Sequence, residues 1–390
     1  MDPIMAKIKY CPICLAENIS FAVQDAPSWY KTPAEPVLYL DCPNCRKYWI
    51  NASRKQNGDA AIHPRTANFL VPLSGQERQY LSECVQRLID QNCWVIIDET
   101  SAESYLADWL WGQTSTKLWG FDQVRLMISG GGFDAQNRLF FVIDDNGVRR
   151  YVLRLIVSTA KPNQIRTLID WMGRLRAAGV PTMTPVPGLN GSLIQTAQMG
   201  DQTRQAVVFN WIDAVDWDDH PEDRITPELV RNFGRAVGLT HHVSATMDIP
   251  AWYTGRHYDE KCFAEYMTTL KSRAHAEYTA EQFAVFDDLE QRLLKAMATL
   301  GKSRDVYGII PADLSAGNTI VHGAQPYIVD MMNFGWGYFL ADLQKALRHI
   351  KDEDQPTFFA AYEEVRPLPK GFDPCYKLFD ETRRIAGHWF

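Results

Sequence analysis

Two groups of side chains in this sequence have types and spacings that could do chemistry. In the final third, Ile309-Ile-Pro-Ala-Asp313-Leu-Ser-Ala-Gly-Asn318 is followed by an apolar run ending in Asp330. An Asp with an Asn five positions on puts a carboxylate and an amide oxygen on one short loop, and a hairpin behind them brings a second carboxylate. Phosphoryl transfer to a hydroxyl needs such a set: one carboxylate beside the acceptor, and oxygen ligands holding Mg²⁺ against nucleotide phosphates. Taken singly, Asp313 reads as a cap or turn former and Asp330 as a strand-end turn residue. Near the start, Cys11-Pro-Ile-Cys14 and Cys42-Pro-Asn-Cys45 form two knuckles with 27 residues between them. Thiolates so spaced on tight turns can face one ion, and two such turns complete the tetrahedral sulfur shell of Zn²⁺. Two disulfides or a redox pair are the alternatives. The proline inside each knuckle and an expected cytoplasmic setting favour structural zinc, with no catalysis at the ion.

A third feature is weak alone. Gly130, Gly131 and Gly132 lie between strand-like Val124 to Ser129 and Arg138 to Ile143. Dinucleotide and Walker-type loops open into a helix, whereas here a strand follows, which leaves a strand-loop-strand lid. Arg154, in the next strand, supplies a cation behind it. With lid, strand cation and loop acids in this order, the isolated readings of Asp313 and Asp330 lose force.

Positioning these groups takes more than one core, and 390 residues allow two or three domains. A composition 46% hydrophobic and 22% charged excludes disorder, collagen and disulfide mini-proteins. With 40 basic against 47 acidic side chains the net charge is -7, so nucleic acid and anionic membranes are not expected partners. No apolar run approaches the ~20 residues of a membrane helix, and residues 1–9 lack a signal core; a soluble, cytoplasmic protein is expected. The pattern predicts an α+β chain in four stretches. Residues 1–58 form the zinc module, and 59–117 a mixed connecting region with helices near Gln76 to Asp90 and Ser104 to Trp111 and no catalytic constellation. Residues 118–209 form an antiparallel sheet with a helix near Asn163 to Ala177, and 210–390 a mostly helical part interrupted by a loop region, Gly308 to Gly335. Asn146-Gly147 predicts a tight hairpin between two of the strands.

From about residue 123 to 345 the chain resembles the aminoglycoside phosphotransferase and choline kinase family, the small-molecule branch of the protein-kinase-like fold. The resemblance runs through Gly130 to Phe133, Tyr151 to Leu155, Arg176 to Pro181, Gly238-Leu-Thr-His-His242, Asp313 to Asn318, Asp330, Gly335 to Tyr338 and Asp342-Leu343. It implies a bilobal fold, an antiparallel-sheet lobe and a helical lobe, here preceded by a zinc-ribbon-like domain. It makes Asp313 the catalytic base and Asn318 and Asp330 the Mg²⁺ ligands. It gives the phosphates to Gly130, Gly131, Gly132 and Arg154, and the nucleotide base to a hinge running through Phe209 to Trp211. The chain departs from the family at Pro311, where relatives carry His, at Arg154, where they carry Lys, and at Leu168, where they carry Glu; Asp170 is the one acid in that helix. The expected activity is Mg²⁺-dependent transfer of the γ-phosphate of ATP or GTP to a hydroxyl of a small-molecule acceptor. The alternative is a catalytically impaired nucleotide-binding module that recruits a protein partner through its zinc ribbon.

Overall fold

The computed structural model describes residues 10–17, 19–25, 36–54, 60–62, 66, 69–70, 72–90, 96–97, 99–121, 125–128, 137–156, 162–217, 225–274, 279–315, 318–348, 350–368 and 372–386. The chain forms two compact units, Met1–Thr159 with Pro185–Trp211, and Ala160–Thr184 with Ile212–Phe390. Among the described residues no helix is long and apolar enough to cross a membrane.

The first unit holds two sheets and two helices. Strands β1 (Ser20–Asp25), β2 (Pro36–Cys42) and β3 (Arg46–Arg54) run antiparallel, so the second knuckle is the turn between β2 and β3. Short β4 (Ala60–Ile62) and β5 (Ile96–Ile97) add to β3. Helix α1 (Gly75–Asp90) opens at Ser74, whose hydroxyl accepts from Glu77 N while the Glu77 carboxylate accepts from Ser74 N, a reciprocal cap. Helix α2 spans Glu99–Thr116, longer at both ends than its apolar spacing suggests. The second sheet is antiparallel, in the order β10 (Gln195–Met199), β11 (Gln202–Asn210), β8 (Arg149–Ile156), β7 (Asn137–Ile143), β6 (Arg125–Ile128), with β9 (Pro185–Val186) on β11.

The hairpin joining β7 to β8 is present, but its turn is wider than Asn146-Gly147 alone suggests. The Asp144 carboxylate accepts from the backbone N–H groups of Asn146 and Val148 and from Arg150 Nε. That side chain organises the whole loop, and Gly147 takes the left-handed position, φ 78°.

Side chains alternate across this sheet. One face carries Phe140, Leu153 and Val208, with Val142, Leu155 and Ala206 beside them. These belong to a contiguous apolar cluster that also contains Cys11, Ile13, Cys42, Cys45, Tyr80, Val85, Leu106 and Trp111. The knuckles, both helices and the sheet therefore share one core. A buried acid on α2, Asp108, ties two strands on that face: its carboxylate accepts from Arg138 Nε at 2.5 Å and Arg204 Nη1 at 3.2 Å. Asp108→Ala leaves two largely buried guanidinium groups without this partner and is expected to lower stability by about 3–5 kcal/mol. Urea unfolding of variant and parent checks it; a difference under about 1 kcal/mol would place the pair among ordinary surface bridges.

In the second unit, α4 (Pro227–Thr246) starts at Thr226, whose hydroxyl accepts from Leu229 N, with Pro227 at the first helical position. Gly234 and Gly238 let it approach α8 (Gln355–Glu363): a Cβ at Gly234 would run into the Phe358 carbonyl, and one at Gly238 would lie 3.0 Å from the Tyr362 carbonyl. Helix α3 (Pro162–Ala177) matches its expected range and buries Ile165, Leu168, Trp171 and Leu175. Helices α5 (Glu260–Ala274), α6 (Ala280–Leu300), α7 (Phe339–Leu347) and α9 (Phe372–Ala386) complete the unit's longer elements. The expected loop region resolves into short strands. Strand β14 (Tyr307–Ile310) lies antiparallel to β17 (Gly335–Tyr338), which pairs with β13 (Arg256–Tyr258). Strands β15 (Thr319–His322) and β16 (Gln325–Ile328) form a hairpin flanked by β12 (Val215–Asp216).

Candidate functional site

Strand β14 delivers the chain to Asp313, and the β15–β16 hairpin returns it to Asp330. The Asn318 amide Nδ2 donates to the Asp313 carbonyl at 2.9 Å, and the Asn318 carbonyl accepts from Val329 N at 2.9 Å. The first contact leaves the Asn318 amide oxygen as a cation ligand; the second sets Asn318 beside the residue preceding Asp330. Thr319 Oγ1 donates to Ser315 O at 3.1 Å, closing the loop around these groups. Two residues adopt left-handed backbone although neither is glycine: Ala312, φ 63°, and Asp330, φ 50°. Such conformations cost of order 1–3 kcal/mol and persist where surrounding structure imposes them. An amide oxygen and one carboxylate suit Mg²⁺, which keeps waters and takes phosphate oxygens besides one or two protein ligands.

Lys345, on α7, was not foreseen from the sequence. Its Nζ donates to the Ala312 carbonyl at 2.7 Å and lies 3.4 Å from Asp313 Oδ1. Also on α7, Asp342 is fully buried and accepts from His241 Nε2 at 3.3 Å; the other imidazole nitrogen, Nδ1, lies 3.0 Å from the Tyr362 hydroxyl. Burial pushes the His241 imidazolium below its ordinary range, against the opposing pull of Asp342, so the neutral ring donates from Nε2 and accepts at Nδ1. A histidine depressed in the folded state contributes stability that is fully present above its unfolded value near 6.5, and is lost as pH falls through the lower folded value. His241→Gln should therefore narrow the gap between urea midpoints at pH 7.5 and pH 5.5. An undiminished gap would assign the acid sensitivity to other groups.

The nucleotide candidates of the first unit share one face of its sheet. Registers Leu139–Arg154–Val207 and Phe141–Val152–Phe209 place these residues opposite the face that joins the α1–α2 core. Arg154 and Phe209 are buried, and Trp211, one alternation beyond Phe209, meets Phe141 edge-on at 5.2 Å. Gly130, Gly131 and Gly132 lie outside the described residues. In the second unit, Leu168 is buried and apolar, and Asp170 accepts from Arg174 Nε at 2.8 Å and from the Tyr253 hydroxyl.

The four knuckle sulfurs converge: all lie within 4.8 Å of one another, with Cys11 Sγ to Cys45 Sγ 3.7 Å and Cys14 Sγ to Cys42 Sγ 3.5 Å. Sulfurs bound at ~2.3 Å to one tetrahedral ion stand ~3.8 Å apart, so the donor set and its spacing fit a dication. Ionisation is uneven among the thiols. Hydrogen bonds from Cys11 and Cys45 hold Cys14 down to about 2, whereas Cys11 is pushed up to about 12 and Cys45 is raised by the neighbouring sulfurs. A bound dication would relieve that imbalance and release protons.

The supporting residues were not legible from the sequence. The Tyr48 hydroxyl is 3.2 Å from Cys11 Sγ, Ser82 Oγ is 3.1 Å from Cys45 Sγ, and Arg78 donates to the Pro12, Ile13, Leu70 and Leu73 carbonyls. Leu15 and Arg46, each just after the second cysteine of a knuckle, are left-handed at φ 63° and 62°.

The strand-loop-hairpin set on a helical unit, together with an antiparallel sheet, defines a protein-kinase-like fold. Solved structures share it. The microcompartment-associated aminopropanol kinase matches with a TM-score of 0.57 at 21% identity, covering 71% of this chain and 87% of that one. An amicoumacin kinase in complex with AMP-PNP, Ca²⁺ and its antibiotic matches at 0.54 and 18%, covering 70% and 82%. The chain belongs to the phosphotransferase enzyme family, whose model matches residues 129–374. Amicoumacin kinase of Bacillus subtilis (strain 168) is 24% identical over 238 residues, 59% of this chain; the match spans 63% of that protein's own length.

Proposed function

We propose that the protein is a small-molecule kinase that moves the γ-phosphate of ATP or GTP to an acceptor hydroxyl. The observation that carries this reading is the loop in which Asn318 is hydrogen-bonded to Asp313 and laddered to the strand end before Asp330. In the proposed step the Asp313 carboxylate orients the acceptor hydroxyl and takes its proton as the oxygen bonds to the γ-phosphorus. The bond to the β-phosphate oxygen breaks, and the nucleoside diphosphate leaves. Asn318 and Asp330 would hold Mg²⁺, which supplies charge neutralisation at the phosphates. Arg154, Phe209 and Trp211 are assigned to the nucleotide, the guanidinium for phosphate and the two rings for the base. The four cysteines are assigned to structural Zn²⁺.

Small-molecule kinases among the similar proteins support the acceptor class, and the named relatives act on amine-bearing alcohols in only the broadest sense, so the acceptor is given as a hydroxyl compound. The buried Leu168 and the engagement of Asp170 with Arg174 and Tyr253 favour a second reading, a nucleotide-binding module with impaired turnover. One experiment separates them: Mg²⁺-dependent nucleotide binding and phosphate transfer to a panel of hydroxyl compounds and to water, with Asp313→Asn as control. Transfer that depends on Asp313 supports the kinase; tight binding with no transfer supports the impaired module.

A further inference from the structure

We propose that Lys345 is a positioning residue for the catalytic loop, holding the Ala312–Asp313 peptide so that the Asp313 carboxylate faces the acceptor; this rests on the reading of Asp313 as the base. A lysine is out of place in α7, where every residue from Phe339 to Leu347 is buried. Lys345 keeps 5% exposure. Withdrawing an ammonium from water is costly unless charge and hydrogen bonds offset it, and burial lowers its proton affinity here, opposed by Asp313 and Asp342. What it obtains in return lies on the loop: the Ala312 carbonyl at 2.7 Å and Asp313 Oδ1 at 3.4 Å.

The loop needs such an external hold. Ala312 is left-handed without being glycine, and the preceding Pro311 has neither an N–H nor a polar side chain to brace the turn. Two donors flank the carboxylate instead. Lys345 takes the carbonyl before Asp313 and Asn318 Nδ2 takes the carbonyl of Asp313 itself, at 2.9 Å. The peptide planes on both sides of the base are thereby fixed, and the ammonium also restrains the carboxylate rotamer. Lys345→Met keeps side-chain volume, but leaves the Ala312 carbonyl without its donor and the carboxylate without its cation.

The test uses the full chain with Mg·ATP as probe. It reads phosphate release and amide hydrogen exchange across residues 309–315. Lys345→Met is expected to lower kcat by about 10–100-fold, the effect of misplacing a reacting group by about an ångström, with KM for ATP within threefold and faster exchange in that segment. Lys345→Ala is expected to regain part of its kcat with added ethylammonium, which a residue needed only for core packing would not show. Should Lys345→Met not fold, Lys345→Gln replaces it: an amide can still serve the Ala312 carbonyl, so exchange stays slow while kcat falls less. Parent-like kcat and exchange in Lys345→Met, or a change confined to KM, overturns the proposal. Turnover independent of Asp313 in the parent defeats the reading of the base instead, and the exchange measurement then decides the role of Lys345 by itself.

Discussion

Asp313→Asn lowers phosphate transfer from Mg·ATP by about 10²–10⁴-fold, the range associated with a positioned general base. Nucleotide affinity stays within a few-fold of the parent. Asn matches the shape of Asp but offers no site for the acceptor proton. The backbone contacts that build the loop do not involve the replaced atoms: Asn318 bonds the carbonyl of residue 313, and Lys345 bonds that of Ala312. The loss should therefore appear in kcat and not in binding. Asp330→Ala gives the opposite signature, weakening the Mg²⁺ dependence of nucleotide affinity itself. Single-turnover transfer with labelled ATP, alongside calorimetric titration with Mg·ADP, separates the two. Equal turnover in Asp313→Asn and parent would remove Asp313 as the base, whatever the loop geometry.

The parts of the site readable beforehand are local in sequence. Asp313 and Asn318 share one loop, Asp330 ends the next hairpin, and each knuckle is a four-residue turn, so spacing alone brings the groups together. What was missed is non-local. Lys345 lies 32 positions from Asp313, and only its place inside an apolar helical run marked it: a lysine there must meet a partner. The supports of the cysteine cluster, Tyr48, Arg78 and Ser82, come from β3 and α1, and nothing in their own neighbourhoods announces them. Periodicity identified α1 and showed that it must bury a face, but it could not name the partner; the answer is a core shared with the knuckles and the sheet. At the β7–β8 hairpin a side-chain effect prevailed over backbone preference, because Asp144 accepts two backbone N–H groups across the turn.

That shared core makes the metal the larger stability lever. Cys11, Ile13, Cys42 and Cys45 are buried in the same cluster as Phe140, Leu153 and Val208, whose strands carry Arg154 and Phe209 on their opposite face. Structural zinc contributes of order 10 kcal/mol or more to small metal-bound folds, comparable with the whole stability of a typical domain. Stripping the ion with a strong chelator, or replacing Cys45 by Ser, should unfold the first unit or lower its melting midpoint by more than about 10 °C. Because the nucleotide face is the reverse side of the same sheet, Mg·ADP binding should be lost with it, although no cysteine belongs to that face. Metal analysis should find one zinc per parent chain and less than one in Cys45→Ser. Disulfides would behave differently: a reductant alone would then destabilise the parent as much as the chelator does, and no zinc would be found. The free thiols and their 3.5 and 3.7 Å separations argue for the ion. A parent that keeps its midpoint and its Mg·ADP affinity after complete metal removal would reduce the cluster to four packed cysteines and uncouple it from the nucleotide face.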